Sequence, residues 1–328
     1  MTPAPDLAAL TKLAQKLAPG GESVAEVKPL SGGASQELWA VVVETPSGAE
    51  KVVLRRAPAG RVRSELSTSI ELEAELIKSA GARGVPVADV RYVLQPADGL
   101  GAGFFMAFVE GEALGQRIVR EEKFAAARPK LARQCGEILA RIHATPAVVG
   151  LPTLQASDVI DALERTHRLE ARPRPVMELG FKWLRANLPK PSTPKVVHGD
   201  FRNGNLLIGP DGVRAVLDWE LAHLGDPLED LGWICVNSWR FGVIDKPVGG
   251  FGVREDLYAG YEAVSGTPVN RDVARFWEVL GTLRWGVMCT LSTISLRDNP
   301  NAGIERYMIA RRASETELDL MDIFRELM

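Results

Sequence analysis

The chain is poor in cysteine and histidine, and it carries no large excess of charge of either sign. Its three cysteines, Cys135, Cys235 and Cys289, stand far apart and form no Cys-x-x-Cys pair. That argues against a disulfide framework and a thiolate zinc site. It fits a reducing, cytoplasmic setting in which each thiol is a small apolar filler. Of the four histidines, His143 and His167 fall on helical patterns with no second ligand at metal spacing, and no role is assigned to them. A net charge of −3 leaves no global basic field, so nucleic acid is not an expected partner. No apolar run approaches about 18 residues, and residues 1–6 lack a basic start, so neither a membrane span nor a signal peptide is expected. The Walker pattern Gly-x-x-x-x-Gly-Lys is also missing. What remains is an ordinary globular composition, 46% apolar and 25% charged, long enough for two lobes.

Hydrophobic periodicity divides the chain near Glu110-Gly111. Before it, strands are expected at Val24–Leu30, Leu38–Glu44, Lys51–Arg56, Pro86–Leu94 and Gly103–Val109, with helices over 7–17 and about 67–82. Beyond it the pattern is mainly helical: Ala125–His143, Asp158–Arg168, Val176–Asn187, Arg254–Val264, Arg271–Ser292 and Ile304 to the end. This is an α+β chain with a small strand-rich lobe, residues 1–110, and a large helical lobe, residues 111–328. The cleft between lobes is the default ligand site.

The densest chemistry lies at His198-Gly199-Asp200-Phe201-Arg202-Asn203-Gly204-Asn205. Phosphoryl transfer needs a carboxylate to position the attacking hydroxyl and oxygen ligands for Mg²⁺ between the nucleotide phosphates. His-x-Asp-x-x-x-x-Asn has the spacing of a kinase catalytic loop, with Asp200 as base and Asn205 as metal ligand. Leu206–Ile208, the turn Gly209-Pro210-Asp211-Gly212 and Val213–Leu217 read as a hairpin. Antiparallel strands of similar length bring their outer ends together, which puts Asn205 and Asp218 within reach of one cation.

On the helix over 67–82, Ile70, Glu73, Leu76, Ile77 and Ala80 share one face at 100° per residue. Glu73 therefore points inward and needs a cation. The preceding strand ends in Leu54-Arg55-Arg56, without a lysine. Arg55 is the expected partner, able to hold both Glu73 and a nucleotide phosphate. Beyond Asp218, Glu220 and His223 are placed to reach the acceptor or the metal, and Arg202 the acceptor or a phosphate. Trp239 and Arg240 lie in a run, 231–242, with no acidic residue. Aromatics beside arginines suit an anionic or amphipathic acceptor better than a polycation.

His198–Asn205, Leu217-Asp218-Trp219-Glu220 and Leu224-Gly225-Asp226-Pro227-Leu228-Glu229-Asp230-Leu231 together resemble the aminoglycoside phosphotransferase family. These are small-molecule kinases with a protein-kinase-like fold, related to choline and homoserine kinases. Leu54-Arg55-Arg56, His198–Arg202 and Asp218-Trp219-Glu220-Leu221-Ala222 are most similar to the branch whose kinase-like domain is, in some organisms, fused to an acyl-CoA dehydrogenase. The resemblance implies a phosphate-covering loop at Gly32, Gly33 and Ser35. It also implies a hinge at Ala107, Phe108 and Val109 that reads the base of ATP or GTP, and a catalytic loop braced by His198 and Asp230. The expected activity is Mg²⁺-dependent transfer of the γ-phosphate to a small-molecule hydroxyl, with a hydroxylated acyl or carboxylate metabolite as acceptor. An aminoglycoside acceptor, or a nucleotide- or partner-binding module without turnover, are the competing readings. The sequence does not specify an oligomeric state.

Overall fold

The computed structural model of the chain describes residues 4–30, 36–58, 67–170, 172–298 and 303–327. The small lobe opens with α1 (Leu7–Lys12), capped by the Asp6 side chain on the Ala9 N–H, and α2 (Ala14–Leu17). Five strands follow: β1 (Ser23–Pro29), β2 (Glu37–Thr45), β3 (Gly48–Arg56), and, after α3 (Ile70–Ala82), β4 (Val90–Val93) and β5 (Gly103–Ala107). They form one antiparallel sheet in the order β1-β2-β3-β5-β4. Val41, Val43, Val52, Leu54 and Phe105 pack one face of the sheet against Leu10, Leu13 and Leu17 of the N-terminal helices. Alternation along β3 then sends its odd partners, Val53 and Arg55, to the other face, over the cleft.

Helix α3 lies on that second face. Ser69 caps it by accepting from the Leu72 N–H at 3.1 Å. Ile70, Glu73, Ala74, Leu76, Ile77 and Ala80 are all buried, so the stripe expected from periodicity is the packed one. The main chain of Thr68, just before the helix, donates to the Glu220 carbonyl at 2.8 Å and so ties the helix start to the large lobe.

The large lobe contains α4 (Gly115–Arg120), α5 (Arg128–His143), α6 (Ala156–His167), α7 (Pro175–Ala186), β6 (Lys195–Val197), β7 (Leu206–Gly209), β8 (Gly212–Val216), β9 (His223–Gly225), α8 (Leu228–Trp233), α9 (Arg254–Ser265), α10 (Arg271–Asp298), α11 (Ile304–Ala310) and α12 (Ala313–Leu327). Strands β6 and β9 pair antiparallel, as do β7 and β8. Helix α10 is long and apolar enough to cross a membrane by length and composition, and half of that stretch is buried inside the fold. Val279, Leu280 and Leu283 of α10 share a core with Met177, Phe181 and Leu184 of α7 and Leu320 of α12. All three cysteines are buried and free, and burial pushes each thiol well above its usual range. The fold is the α+β, two-lobed one read from the sequence.

Candidate active site

Between the lobes lies an open cleft of about 360 Å³. Its roof is Leu38, Val53 and Arg55, its back is Glu73 and Ile77, and its floor includes Asn205, Leu207 and Asp218. Ala107, Phe108 and Val109 line the hinge edge. The Ala107 and Phe108 N–H groups bond the Asp89 and Lys51 carbonyls, so the Val109 N–H is the one of the three not engaged in this way. The expected phosphate-covering loop, Gly32, Gly33 and Ser35, lies outside the described residues.

Strand β6 delivers the catalytic loop, and a buried acid organises it. The Asp230 carboxylate accepts from the His198 N–H at 2.8 Å, the Gly199 N–H at 2.9 Å and His143 Nε2 at 3.0 Å. Burial alone would raise its pKa. The hydrogen bond and charge of His143 and the bond from the His198 N–H outweigh burial and hold it below the usual carboxylate range. Gly199 has φ +76°, and a Cβ there would lie 2.4 Å from the Leu221 carbonyl oxygen, so this bend requires glycine. His198 Nε2 donates to the Leu217 carbonyl at 3.0 Å, while its Nδ1 accepts from the Asp200 N–H at 3.2 Å. One nitrogen donates and the other accepts, so the ring is neutral. Burial lowers its pKa in the same sense. His198 is a brace between loop and hairpin. His143, given no role from sequence, is part of the same scaffold and also bonds the Tyr261 hydroxyl at 3.0 Å. Its signal was only a histidine on an amphipathic helix, and the partner 87 residues away cannot be read from local pattern.

The hairpin works as its spacing suggests. Leu206 pairs with Val216, and the Leu217 N–H bonds the Asn205 carbonyl at 2.8 Å. Asn205 and Asp218 therefore stand at the same end. Asn205 Nδ2 donates to Asp200 Oδ2 at 2.6 Å and to the Asp200 carbonyl at 3.0 Å. Both partners are acceptors, so the amide must give them its nitrogen and turn its oxygen the other way. Asp218 sits in the left-handed region, φ 63°, which aspartate tolerates better than most residues. Arg55 bonds its Oδ1 at 2.8 Å, and its Oδ2 makes no hydrogen bond among the described residues. An amide oxygen and a carboxylate oxygen on one cleft floor suit a hard cation such as Mg²⁺. No group of three or more His, Cys, Asp or Glu able to hold a metal occurs among the described residues, so nucleotide phosphates and water would complete the shell.

Above the floor, Arg55 Nε donates to Glu73 Oε2 at 3.0 Å, and its Nη2 lies 3.0 Å from Glu73 Oε1. Arg56, the other candidate, instead holds Glu37 at 2.6 Å. Burial works against charge on Arg55, but Glu73 and Asp218 more than compensate and raise its pKa. On Glu73, burial pushes the carboxyl up, Arg55 pulls it down, and Asp218 and Glu220 push it up again. The result is about 7. Glu220 lies 3.9 Å from Arg55, within this centre rather than on the acceptor side.

Three of the expected acceptor contacts are corrected. His223 is buried on β9, its Nδ1 on the Leu221 carbonyl at 2.9 Å and its Nε2 on Glu229 at 3.1 Å. Both nitrogens donate, so the ring is a buried cation held by Glu229. Burial lowers its pKa, but Glu229 and the Leu221 carbonyl raise it further. Arg240 gives its guanidinium to the Cys235 and Ile244 carbonyls and to Glu278. Trp239 is buried behind Arg202, whose guanidinium lies 4.6 Å from the ring centre. On its other oxygen, Oδ1, Asp200 accepts from Arg202 Nε at 3.1 Å and from Trp233 Nε1 at 2.8 Å. Nothing local in the sequence marks the Trp233 N–H for this contact. Arg284 of α10 bonds the Gly199 carbonyl at 3.2 Å and stacks 4.7 Å from the Trp233 ring.

A five-stranded lobe over a helical one, with a His-x-Asp-x-x-x-x-Asn loop beside a second aspartate on the cleft floor, defines a kinase-like phosphotransferase. The chain belongs to the phosphotransferase enzyme family (APH), whose model matches residues 26–266. The mouse protein named acyl-CoA dehydrogenase family member 10 is 29% identical over 199 residues, 57% of this chain. That match takes in only 18% of the mouse protein. Among solved structures, a candidate aminoglycoside phosphotransferase from Ralstonia eutropha superposes with a TM-score of 0.78 at 23% identity, covering 98% of both chains. Spectinomycin phosphotransferase APH(9)-Ia, solved with ADP and spectinomycin, superposes with a TM-score of 0.60 at 13% identity, covering 96% of this chain and 98% of its own.

Proposed function

We propose that this protein is a Mg²⁺-dependent, cytoplasmic small-molecule kinase that transfers the γ-phosphate of ATP or GTP to an alcohol. The observation that carries this reading is the convergence of Asp200, Asn205 and Asp218 on one cleft whose opposite wall presents Arg55. The acceptor oxygen attacks the γ-phosphorus in line. Its proton passes to Asp200, the bond from phosphorus to the bridging oxygen breaks, and the nucleoside diphosphate leaves with that electron pair. Asn205 and Asp218 would hold Mg²⁺, which would supply charge neutralisation at the phosphate oxygens. Arg55, fixed by Glu73, adds fixed positive charge on the same phosphates. The rest is positioning, with no covalent enzyme intermediate.

The acceptor is an anionic or acyl-bearing alcohol. Arg202 and Arg284 flank the catalytic loop, each against an indole, and Glu229 is already neutralised by His223 and Arg284. A polycation placed there would meet like charge; a carboxylate would meet guanidinium. Comparing kcat/KM for pooled hydroxylated carboxylates and their thioesters with that for kanamycin-type substrates tests this part. Efficient aminoglycoside turnover, with none on any anionic alcohol, reverses it. The nucleotide part is tested by Asp218→Ala, which should stay folded and lose Mg²⁺-dependent nucleotide affinity. Unchanged affinity would remove Asp218 from the metal site. Consumption of neither ATP nor GTP with any acceptor would favour the non-catalytic reading, which the arginine at position 55 in place of a lysine first raised.

A further inference from the structure

The geometry points to the indole N–H of Trp233 as the group that selects which oxygen of Asp200 receives the acceptor's proton. This rests on Asp200 being the carboxylate that engages the hydroxyl. A carboxylate oxygen offers two lone-pair directions. Oδ1 accepts from Trp233 Nε1 at 2.8 Å and from Arg202 Nε at 3.1 Å, and is filled. Among the described residues Oδ2 accepts only from Asn205 Nδ2, at 2.6 Å, and keeps one direction open. The attacking hydroxyl therefore donates to Oδ2, on the side where Asn205 faces the metal site. During transfer the hydroxyl's O–H bond breaks, the proton goes to Oδ2, and the oxygen bonds to phosphorus as the nucleoside diphosphate departs.

Both donors on Oδ1 are held by the same aromatic ladder. Trp233 and Trp239 stand 5.2 Å apart, and Trp239 and Trp285 4.9 Å apart. Arg202 caps the Trp239 ring at 4.6 Å and Arg284 the Trp233 ring at 4.7 Å. The ladder sets the rotation of the indole, and the indole sets the rotation of the carboxylate. A phenylalanine at 233 would preserve the stacking but leave Oδ1 with Arg202 alone, opening one of its lone-pair directions to the hydroxyl. Trp233 is thus a positioning residue, and it acts through Asp200.

Two measurements test this, one of them independent of turnover. In a ¹H–¹⁵N spectrum of the intact protein the seven indoles give separate signals, and Trp233→Phe identifies its own by loss. Asp200→Asn should displace that signal more than any other indole signal. If another indole moves more, the bond is not formed in solution and the inference falls, whatever the enzyme does. The second measurement uses hydrolysis of Mg²⁺·ATP, with water as acceptor. Trp233→Phe should reduce kcat about tenfold or more, the scale of one hydrogen bond to a charged group, and leave KM for Mg²⁺·ATP within about twofold. Trp277→Phe, which removes a buried indole N–H that has no partner, should leave both values unchanged. An equal fall in kcat for both variants, or a rise in KM without a fall in kcat for Trp233→Phe, overturns the positioning role. Absence of hydrolysis in the parent protein would count against the kinase reading instead, and the spectrum would still decide the bond.

Discussion

Two buried ion centres in this molecule have opposite stoichiometry. In the cleft, one guanidinium, Arg55, serves three carboxylates: Glu73, Asp218 and Glu220. In the large lobe, one carboxylate, Glu278, serves three guanidiniums: Arg240 at 3.1 Å, Arg254 at 2.7 Å and Arg275 at 2.7 Å. Among the described residues the first sets one cation among three carboxylates, and the second sets three cations around Glu278, with Glu326 also on Arg275. Around Glu278, burial and the neighbouring Arg254 and Arg275 pull the Arg240 pKa below its usual range, although Glu278 pulls the other way. Around Arg55, burial and the extra carboxylates push Glu73 up to about 7. A centre with one guanidinium among three carboxylates, open to a cleft, is suited to bind a cation. A centre whose shared carboxylate, Glu278, is 2% exposed ties α9 to α10 and is suited to hold a fold together.

The comparison breaks most severely at Glu278. Glu278→Ala leaves three partly buried guanidiniums facing one another and should cost on the order of 3–5 kcal/mol, read as a lower urea midpoint. Nucleotide affinity of the folded fraction should not change. At the cleft, Asp200→Asn should reduce turnover by at least about 100-fold while nucleotide affinity stays within a few-fold, because the base is lost and the metal site kept. Near wild-type turnover on the true acceptor would move the base elsewhere. Arg55→Lys keeps the charge but cannot bond Glu73 and Asp218 as a fork does. Nucleotide affinity should fall about tenfold, the scale of one charge-assisted hydrogen bond, with little change in melting temperature. The gentlest probe is pH. Glu73 titrates near 4.5 unfolded and about 7 folded, so the fold favours its protonated form. Its contribution to stability is full below pH 4.5 and is lost as pH rises towards 7. Glu73→Gln should flatten that part of the stability–pH curve, and an unchanged slope would place the titration on another group.

Local pattern was enough for the parts of the site built by short spans. The loop from His198 to Asn205 and the hairpin to Asp218 follow from spacing and turn chemistry. Glu73 follows from helical phase, and Arg55 from its place at the end of the preceding strand. Where the sequence misled, the deciding partner lay far away. Arg240 looked like an acceptor cation because its neighbourhood in sequence has no acid, yet Glu278, 38 residues on, captures it. His223 fell beside the metal site in sequence, but β9 carries it inward to Glu229. Short elements were also missed: α4 and α8 have six residues each and β9 three, too few for a period to emerge.

The hairpin that carries Asn205 and Asp218 is stitched at two further points. Glu112, just past the hinge, exchanges both main-chain bonds with Ile208 at 2.9 Å, and the Val216 N–H bonds the Pro86 carbonyl at 2.8 Å. The hinge strap, the segment after α3 and this hairpin thus form one fulcrum. Rocking the small lobe about it would swing the outer strands and their loops through a wide arc, while Asp218 stays near the axis and moves little. The cation seat would then be stationary whether the cleft is open or shut, and closure would bring the covering parts to it.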